Sequence, residues 1–485
     1  MDVSDDGPRL CKGADCEWRI LALQLKEEVA TMAGQVEVMS APLEALKRQV
    51  FGKKSEKIPP LEREVKKLRP RDKGAEQAQR RANAELRDAR VESTDEPFKV
   101  PEDKRQCDHC FKRLRPIGEG KISEEWNYVA GFFRRRRIIR ETLGCSCGQT
   151  MVTADGPARS VEGTKYGDGF RAFIVTSKCA DAMPLYRLAK HFVRMGIPIP
   201  RSTLTDLFHQ TARELEPLYE RLLQLVASAE LVQADETPMK VQNLNKKGYV
   251  WTFLADNLIA YKFSVGRGGQ TPAQVLGNSQ GTLVVDLYTG YNTVTGPEQR
   301  TRAACLAHVR RKFFDAMAYL PEARFALDLI RDIYVVEHDA KIADCLGTRE
   351  HLLMRQARSG PILARLRTWI AEQTEIHPPK SPLGTAMSYV VNNWIPLTRF
   401  LDDPKIPPDN NRSESALRIV ALGRKNFLFF GNEEAGHNIA GLYSLVATCE
   451  ANGVNPIAYL TDVLARVRSH PASDLDALLP QNWNP

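Results

Sequence analysis

The chain has 485 residues, of which 43% are hydrophobic, so it is long enough for three or more domains with sizeable cores. Its net charge of +8 is a modest basic excess that does not by itself indicate nucleic-acid binding. The sequence has no apolar run long enough to span a membrane, and its polar N-terminus lacks the apolar core of a signal peptide, so we expect a cytoplasmic protein with no membrane partner. Ten cysteines in that compartment favour free thiols and a metal site over a disulfide framework.

Residues 1–51 carry a heptad pattern. Apolar residues alternate at spacings of four and three from Trp18 to Val50. This spacing predicts a coiled-coil helix that self-associates, so we expect a homo-oligomer. A single amphipathic helix packed on its own protein is the alternative, and Gly34 and Pro42 oppose one continuous helix.

Residues 52–100 are charged and contain few large apolar side chains. Such a segment cannot bury a core, so we expect a basic flexible linker. Within it, residues 74–90 have the composition of a polar helix whose Lys and Arg side chains are candidates for phosphate contacts. A solvated tether is the alternative.

Residues 101–157 contain two close pairs of cysteines with the spacing of a zinc-binding ribbon: Cys107, Cys110, Cys145 and Cys147. Each pair would lie on a turn, and the four thiolates would complete a tetrahedron around a structural Zn²⁺. The second pair is C-x-C rather than C-x₂-C, and His109 is a spare candidate ligand. Four thiols without metal are the alternative, although so small and polar a segment needs a metal ion or another cross-link to fold.

Between the cysteine pairs, two phenylalanines precede a run of four arginines. A basic strand flanked by aromatic residues can lie along a DNA backbone. Arg134 and Arg136 are therefore candidate DNA contacts, and a solvated face of a sheet is the alternative.

Residues 158–228 are predicted to be helical, with one helix over 169–180, a second over 185–194, a third that starts near residue 201, and after it a long helix that ends near residue 227. The second helix and the next one, joined by a short turn, are typical of a helix-turn-helix motif whose second helix enters the major groove. Ser202 is its candidate N-cap. A plain helical bundle is the alternative. The candidate DNA contacts on this helix are Arg201, Ser202 and Thr203.

Residues 229–300 contain four strand-like segments, LVQAD, GYVWTFLAD, AYKFSVG and GTLVVD. Three are spaced as hairpin strands and the fourth returns to them, which favours a mixed sheet of the ribonuclease-H kind. Asp235 ends the first segment and Asp286 ends the fourth. After residue 291 the chain is predicted to be helical, and residues 301–405 are predicted to form a helical insertion.

The insertion begins with a helix that has a basic face, where His308, Arg311 and Lys312 are candidate DNA contacts. His308 has two further interpretations, because it could order a catalytic carboxylate or be a structural histidine.

Residues 406–450 contain a predicted helix that carries Glu414, with Asp409 or Asn410 as its cap. Arg418 follows one turn later. The alternative role for Glu414 is that of a solvent-facing residue paired with Arg418. Further candidate DNA contacts in this region are Arg418, Arg424 and Lys425. Residues 451–485 are predicted to be a C-terminal helical tail, and Asn452 and Gly453 end the helix that precedes it.

Asp235, Asp286 and Glu414 form the pattern that a two-metal phosphoryl-transfer site needs. Mg²⁺ prefers oxygen ligands, and two such ions can clamp the attacking and leaving oxygens of an in-line displacement. On their own, carboxylates of this kind are more often ordinary strand-end or surface residues, and the combination of all three favours a site.

These segments, taken in order, resemble the DDE transposases of the insertion-sequence sixty-six family. The resemblance extends from about residue 45 to 468, and the motifs that carry it are FGKKSEK, the paired cysteines, SKCADAMPLYRLAKHF, ADETP, VVDLYTGYN, CLAHVRRKFFDA, PPKSPLGTAMSYV, DNNRSESALR, ALGRKNFLFFG and NGVNPIAYL. The resemblance implies a multidomain α/β protein. Its ribonuclease-H-like catalytic core would have a helical insertion and follow a zinc-binding domain and a helix-turn-helix region.

The resemblance also implies roles for individual residues. The catalytic triad of the family falls on Asp235, Asp286 and Glu414, which would bind two Mg²⁺ or Mn²⁺ ions, and the zinc positions fall on the four cysteines. The partners implied are DNA, as transposon ends and target, and accessory proteins of the same element. The chain departs from the usual family residues, without losing a ligand, at Leu306, Ser413, Ser415 and Phe427.

Three functions remain open at this point. The first is a nucleoid-associated transposase that cuts element ends and joins them to target DNA. The second is a catalytically inactive DNA-binding protein or repressor of transposase descent, and the third is a metal-dependent nuclease without strand transfer. Intact carboxylates at all three triad positions favour the first.

Overall fold

A computed structural model describes residues 166–243 and 247–484, a helix at 73–88, short strands at 142–144 and 151–153, and the single residues 26 and 133. The coiled coil predicted for residues 1–51 lies outside the described residues. So do the predicted zinc ligands and two of the predicted DNA contacts, namely Cys107, Cys110, Cys145, Cys147, Arg134 and Arg136.

The chain divides into two units, and the smaller one is Lys66–Pro157. It contains helix α1 (Lys73–Asp88), strand β1 (Thr142–Gly144) and strand β2 (Met151–Thr153), and the two strands pair antiparallel. α1 confirms the polar helix predicted within the linker. β1 ends at the residue before the second cysteine pair, so the two strands flank that pair in the sequence.

From residue 166 onwards the larger unit has four helices before its sheet: α2 (Asp168–Cys179), α3 (Leu185–Arg194), α4 (Arg201–Glu214) and α5 (Glu216–Ser228). They confirm the helices predicted there. α4 and α5 meet at Leu215, where Pro217 in the first turn of α5 starts a new helix because it has no N–H to continue the old one. The turn after α3 contains Gly196 at φ 76°, a conformation that favours glycine.

The predicted cap of α4 is wrong. Pro200, not Ser202, occupies the N-cap position, and no side chain caps the helix. The fixed φ of proline, here −59°, suits this position. Arg201 and Ser202 are exposed in the first turn, whereas Leu204, Leu207 and Phe208 are buried.

A mixed sheet of five strands follows: β3 (Leu231–Met239), β4 (Gly248–Ala255), β5 (Leu258–Val265), β6 (Thr282–Val285) and β7 (Thr301–Ala304). Their spatial order is β5-β4-β3-β6-β7, with β3, β4 and β5 antiparallel and β6 and β7 parallel to β3. This arrangement confirms the mixed sheet and is compatible with a ribonuclease-H-like core. Helix α6 (Gln270–Leu276) lies between β5 and β6 in the chain.

Strand β7 differs from the helical segment predicted after residue 291. A 3₁₀ turn at Thr289–Val294 leads into this four-residue strand, and helices begin only at Leu306. The strand escapes the sequence pattern because TRAA is short and has none of the β-branched alternation that marks a longer strand.

β5 forms one edge of the sheet and is covered by helix α15 (Glu433–Ala451). The backbone N–H groups of Ile259 and Tyr261 donate to the hydroxyls of Thr448 and Ser444 on that helix, at 3.1 and 2.8 Å. An uncovered edge would offer these groups to another strand. The helix therefore completes the hydrogen bonding of the edge as well as burying its face.

The predicted helical insertion consists of six helices: α7 (Leu306–Met317), α8 (Ala323–Ile342), α9 (Arg349–Met354), α10 (Gly360–Ile376), α11 (Pro382–Asn392) and α12 (Trp394–Thr398). A π-helical turn at Arg355–Ser359 joins α9 to α10. Their buried side chains form one apolar core with Val284 of β6 and Ala303 and Ala304 of β7. The insertion is thus packed onto the outer parallel strands of the sheet.

The guanidinium of Arg355 is buried at the centre of the insertion. It donates to both carboxylate oxygens of Glu337 at 2.8 and 2.7 Å, and to the carbonyls of Phe400 and Ile406 at 2.8 and 2.9 Å. Arg355 therefore joins α8 to the segment that leads back to the sheet.

The returning chain forms α13 (Asn411–Ala416), α14 (Arg418–Phe427), α15 and α16 (Pro456–Arg466). The single helix predicted around Glu414 is therefore two helices, which meet at Leu417. α15 ends beside Asn452 and Gly453, as predicted, with Gly453 at φ 68°. No helix in the described ranges is both long and apolar enough to cross a membrane.

Candidate active site

β3 carries Asp235 past the end of its pairing with β6. The paired residues run from Leu231 opposite Thr282 to Gln233 opposite Val284, so Asp235 lies two residues beyond the last pair. Its side chain is half-buried, and its Oδ1 accepts the N–H of Glu236 at 2.8 Å. The strand therefore presents this carboxylate at the point where β3 and β6 part.

Asp286 follows β6 directly and lies at the same point of divergence. Its Oδ1 accepts the N–H of Tyr288 at 3.0 Å, and its carbonyl accepts a hydrogen bond from Arg302 at 3.0 Å. Arg302 also donates to the carbonyl of Tyr288 at 2.6 Å. These contacts fix the first turn of the loop after the strand.

Glu414 lies on α13, and Asn410 ties the start of this helix to the sheet. The Asn410 side-chain amide donates to the carbonyl of Ala234 at 2.7 Å, and its backbone N–H donates to Sγ of Cys305 at 3.2 Å. Asn410 holds the predicted N-cap position but makes no capping hydrogen bond. Its side chain instead connects the helix of Glu414 to the residue before Asp235.

His308 on α7 approaches the same carboxylate. Its Nδ1 lies 4.0 Å from Oε1 of Glu414 and is buried without a hydrogen-bond partner among the described residues. Burial lowers the pKa of His308, although Glu414 and Asp286 act in the opposite direction. Within the described chain no ion pair joins Glu414 to Arg418, so the alternative of a solvent-facing pair is not observed.

The three carboxylates act on one another electrostatically. Burial raises the pKa of Asp235 from its ordinary value of 3.8 to about 7, and repulsion from Glu236, Asp286 and Glu414 adds to the rise. A positive charge nearby would stabilise the ionised form of Asp235 and lower its pKa. The site is therefore a half-buried concentration of negative charge.

The donor chemistry of this site fits a divalent cation, because three carboxylates that repel one another are the ligands hard cations prefer. His308 adds a buried nitrogen that has no hydrogen-bond partner among the described residues. In the described part of the chain, however, no three Asp, Glu, His or Cys side chains are close enough together to hold an ion as they stand. A bound ion would require these side chains to lie closer together.

Four residues beside the carboxylates are not among the predicted site residues: Glu236, Arg267, Tyr288 and Tyr291. Burial also raises the pKa of Glu236, against hydrogen bonds from Tyr291 and Arg267 that lower it. The available signal was the alternation of β3, because a strand that presents Asp235 on one face must direct Glu236 to the opposite, buried face.

The predicted DNA contacts of the larger unit lie on three helices, α4, α7 and α14. On α7, Arg311 is exposed and Lys312 lies over the ring of Tyr389, 4.5 Å from its centroid. On α14, Arg424 donates to the carbonyl of Pro238 at 2.6 Å, three residues beyond Asp235 on β3. Arg418 and Lys425 are exposed on the same helix. The structure places His308 4.0 Å from Glu414, whereas Arg424 contacts β3 three residues beyond Asp235. Arg201, Ser202 and Thr203 lie at the start of α4, and no contact between them and the carboxylates is observed among the described residues.

Two family profiles match the sequence of this chain. The sequence profile described as "Transposase IS66 family" matches residues 163–438, and "IS66 C-terminal element" matches residues 444–481. Together the two matches include most of the described part of the larger unit.

Three relatives from Sinorhizobium fredii (strain NBRC 101917 / NGR234) match over most of their length. "Uncharacterized protein y4jD" is 32% identical over 79% of this chain and 79% of its own, and "Uncharacterized protein y4qI" is 31% identical over 82% and 76%. "Uncharacterized protein y4hP" is 26% identical over 91% of this chain and 88% of its own. The profile that matches more than half of the chain and the relatives aligned along it confirm the resemblance found in the motifs: the chain belongs to the IS66 transposase family.

Proposed function

We propose that the chain is an active transposase, which cleaves DNA at the ends of an insertion sequence and joins those ends to target DNA. The observation that carries the proposal is geometric: Asp235 and Asp286 both lie two residues past the last pair of β3 and β6, and Asn410 ties the helix of Glu414 to the residue before Asp235. The IS66 family is a family of DDE transposases, which use divalent metal ions in general.

Each residue of the site has a proposed role. Asp235, Asp286 and Glu414 would hold two Mg²⁺ or Mn²⁺ ions, which when bound supply activation of water or a 3′-OH and stabilisation of the leaving 3′ oxygen. Asn410 holds the helix of Glu414 against β3 through its bond to the Ala234 carbonyl. His308, 4.0 Å from Glu414, orients that carboxylate.

DNA binding is proposed for three surfaces. The first is the start of α4, the helix-turn-helix candidate, where Arg201 and Ser202 are exposed and Thr203 is half-buried. The second is the basic edge near the site, formed by His308, Arg311, Lys312, Arg418, Arg424 and Lys425. The third is the arginine run at 134–137. These positive side chains would neutralise phosphates, so binding should weaken with salt.

The N-terminal segments complete the proposal on sequence grounds alone. The heptad of residues 1–51 would assemble a homo-oligomer, residues 52–100 would act as a linker, and the four cysteines would hold a structural Zn²⁺. Accessory proteins of the same element and a location on the nucleoid follow from the same reasoning.

A catalytically inactive DNA-binding protein is the second candidate. It is favoured by one observation: within the described residues, no three ligand side chains form a ready cluster for a metal ion. If the three carboxylates cannot bind a cation together, the protein would bind the DNA ends without cleaving them.

The deciding experiment incubates labelled ends of the insertion sequence that encodes the chain with Mg²⁺ or Mn²⁺ and a target plasmid. Asp235→Asn should abolish cleavage and joining while end binding is retained, because this carboxylate would hold metal rather than the fold. Asp328→Asn is the matched control, since that residue makes exposed ion pairs with Arg324 and Arg331.

The outcomes separate the candidates. Cleavage and joining that the Asp235 variant loses would support the transposase, whereas cleavage without joining would support a nuclease. End binding without cleavage, even with the other products of the element added, would favour the inactive DNA-binding protein. Normal cleavage by Asp235→Asn would overturn the site assignment.

A further inference from the structure

A buried carboxylate beside the proposed triad has no role in the function described so far. Glu236 is the residue after Asp235, and its side chain is only 1% exposed. Burying an ionised carboxylate is costly unless it is paired and hydrogen-bonded. Its presence in the sheet next to a catalytic aspartate therefore calls for a physical reason.

Both oxygens of Glu236 are occupied by residues from the loops above the sheet. Oε1 accepts from Nε of Arg267 at 2.6 Å, and Oε2 accepts from the hydroxyl of Tyr291 at 2.7 Å. Glu236 thus contacts two loops, one through each of its carboxylate oxygens. We refer to Glu236, Arg267, Tyr288 and Tyr291 as the Glu236 cluster.

The cluster continues to the second carboxylate of the proposed triad. The guanidinium of Arg267 lies over the ring of Tyr288 at 3.8 Å from its centroid, and the Tyr288 hydroxyl donates to the Arg267 carbonyl. The backbone N–H of Tyr288 donates to Oδ1 of Asp286 at 3.0 Å. An unbroken series of contacts therefore joins the neighbour of Asp235 to the side chain of Asp286.

The sheet itself does not set the separation of these two aspartates. Pairing between β3 and β6 stops at Gln233 and Val284, so each aspartate lies two residues past the last backbone hydrogen bonds that join the two strands. A metal site needs its ligands held within about 0.5 Å of their working positions. Contacts outside the sheet must provide that precision.

We propose that Glu236, Arg267 and Tyr288 are positioning residues that fix Asp286 relative to Asp235. They act through the loop after β6 and set how tightly the pair binds divalent cations. The proposal rests on the proposed metal-dependent function. In this proposal, contacts within the Glu236 cluster hold the two aspartates in their relative positions. Elsewhere in the sheet, backbone hydrogen bonds between strands do this.

The test measures Mn²⁺ binding by calorimetry on the full-length protein without DNA, so that it does not depend on activity. Arg267→Lys keeps the charge but loses the Nε–H donor and the planar stacking on Tyr288. Tyr288→Phe keeps the ring and removes the hydroxyl bond to Arg267. Each variant should bind Mn²⁺ about 10- to 100-fold more weakly, the range typical for loss of the groups that orient metal ligands.

Arg221→Lys is the matched control. Arg221 on α5 also pairs its guanidinium with a carboxylate, that of Asp476, at 2.6 and 2.8 Å, in a more exposed setting, and neither residue is among the proposed site residues. It should leave Mn²⁺ affinity unchanged. In cleavage assays the Arg267 and Tyr288 variants should need more Mn²⁺ for half-maximal rate and recover the wild-type rate at saturation, which a merely unstable protein would not do.

The outcomes distinguish this inference from the proposed function. If wild type binds Mn²⁺, Asp235→Asn does not, and both cluster variants bind as wild type does, the positioning role is overturned and the metal site stands. If wild type binds no Mn²⁺, the proposed metal site fails and the inference fails with it. Equal loss of affinity in Arg221→Lys would show a general stability effect and would also overturn the inference.

Discussion

Replacing Asp235 with Asn should make the metal-free protein more stable at alkaline pH, even though the same change should abolish cleavage. The pKa of Asp235 is raised to about 7 by burial and by the nearby carboxylates. In the unfolded chain the same group should titrate near its ordinary value of 3.8. Folding therefore disfavours the ionised form of the Asp235 carboxyl, which is the form that the proposed metal binding requires.

The sign follows from proton linkage. Between the unfolded pKa and the folded pKa, the folded chain binds one proton more than the unfolded chain, so the free energy of unfolding falls as pH rises through this window. A difference of about three units at about 1.4 kcal/mol per unit gives an upper value of about 4 kcal/mol. Solvent screening of a half-buried group reduces this to about 1–4 kcal/mol at pH 8.

Thermal unfolding in EDTA measures the effect. Asp235→Asn should melt several degrees above wild type at about pH 8, and the gap should shrink towards about pH 5, with Asp328→Asn as the control. Added Mg²⁺ at about pH 8 should stabilise wild type but not the variant, because a ligand that binds only the folded state raises its stability. A gap that does not change with pH, or a variant that is less stable at about pH 8, would refute the reasoning.

Three further changes test other parts of the structure. Asn410→Ala should lower the free energy of unfolding by about 1–3 kcal/mol in urea titrations, because the carbonyl of Ala234 is left without a donor, and should slow cleavage; unchanged stability would contradict the proposed link. Arg355→Met should cost about 3–5 kcal/mol in the same titration, since it leaves Glu337 without its buried partner, and a loss below about 1 kcal/mol would argue against that role. Mass spectrometry should find one zinc per chain that Cys107→Ser removes, with weaker DNA binding after chelation, and pure protein without zinc would rule the ribbon out.

The sequence predicts the sheet well because its strands are apolar and end in recognisable residues. Asp286 closes an apolar run, and the structure places it one residue after β6. The helices at 185–194 and before Gly453 end at glycines with positive φ, which is a local signal. At these positions local chemistry determines the boundary and the sequence-based prediction is confirmed, whereas the predicted N-cap Ser202 is displaced by Pro200.

Long-range contacts account for what the sequence does not predict. The sequence predicts Asn410 as a helix cap. Its side chain instead donates a hydrogen bond to the carbonyl of Ala234, which is 176 residues away in the chain. β7 is too short to be distinguished by pattern and forms because β6 offers a parallel partner. Arg267 lies in a glycine-rich loop with no distinctive motif, so its place beside Glu236 follows only from the folded chain.

The contacts at the base of the helical insertion have a consequence for how such a protein can change over time. The N–H of Leu306 donates to the carbonyl of Pro408 at 2.9 Å, so the chain leaves the sheet and returns to it at one point. Lengthening or shortening what lies between two touching ends costs little in chain entropy, since loop closure depends only weakly on length. The helices between these residues can therefore diverge in size among relatives, or accept a fused domain at an exposed turn, while Glu414 keeps its place opposite Asp235.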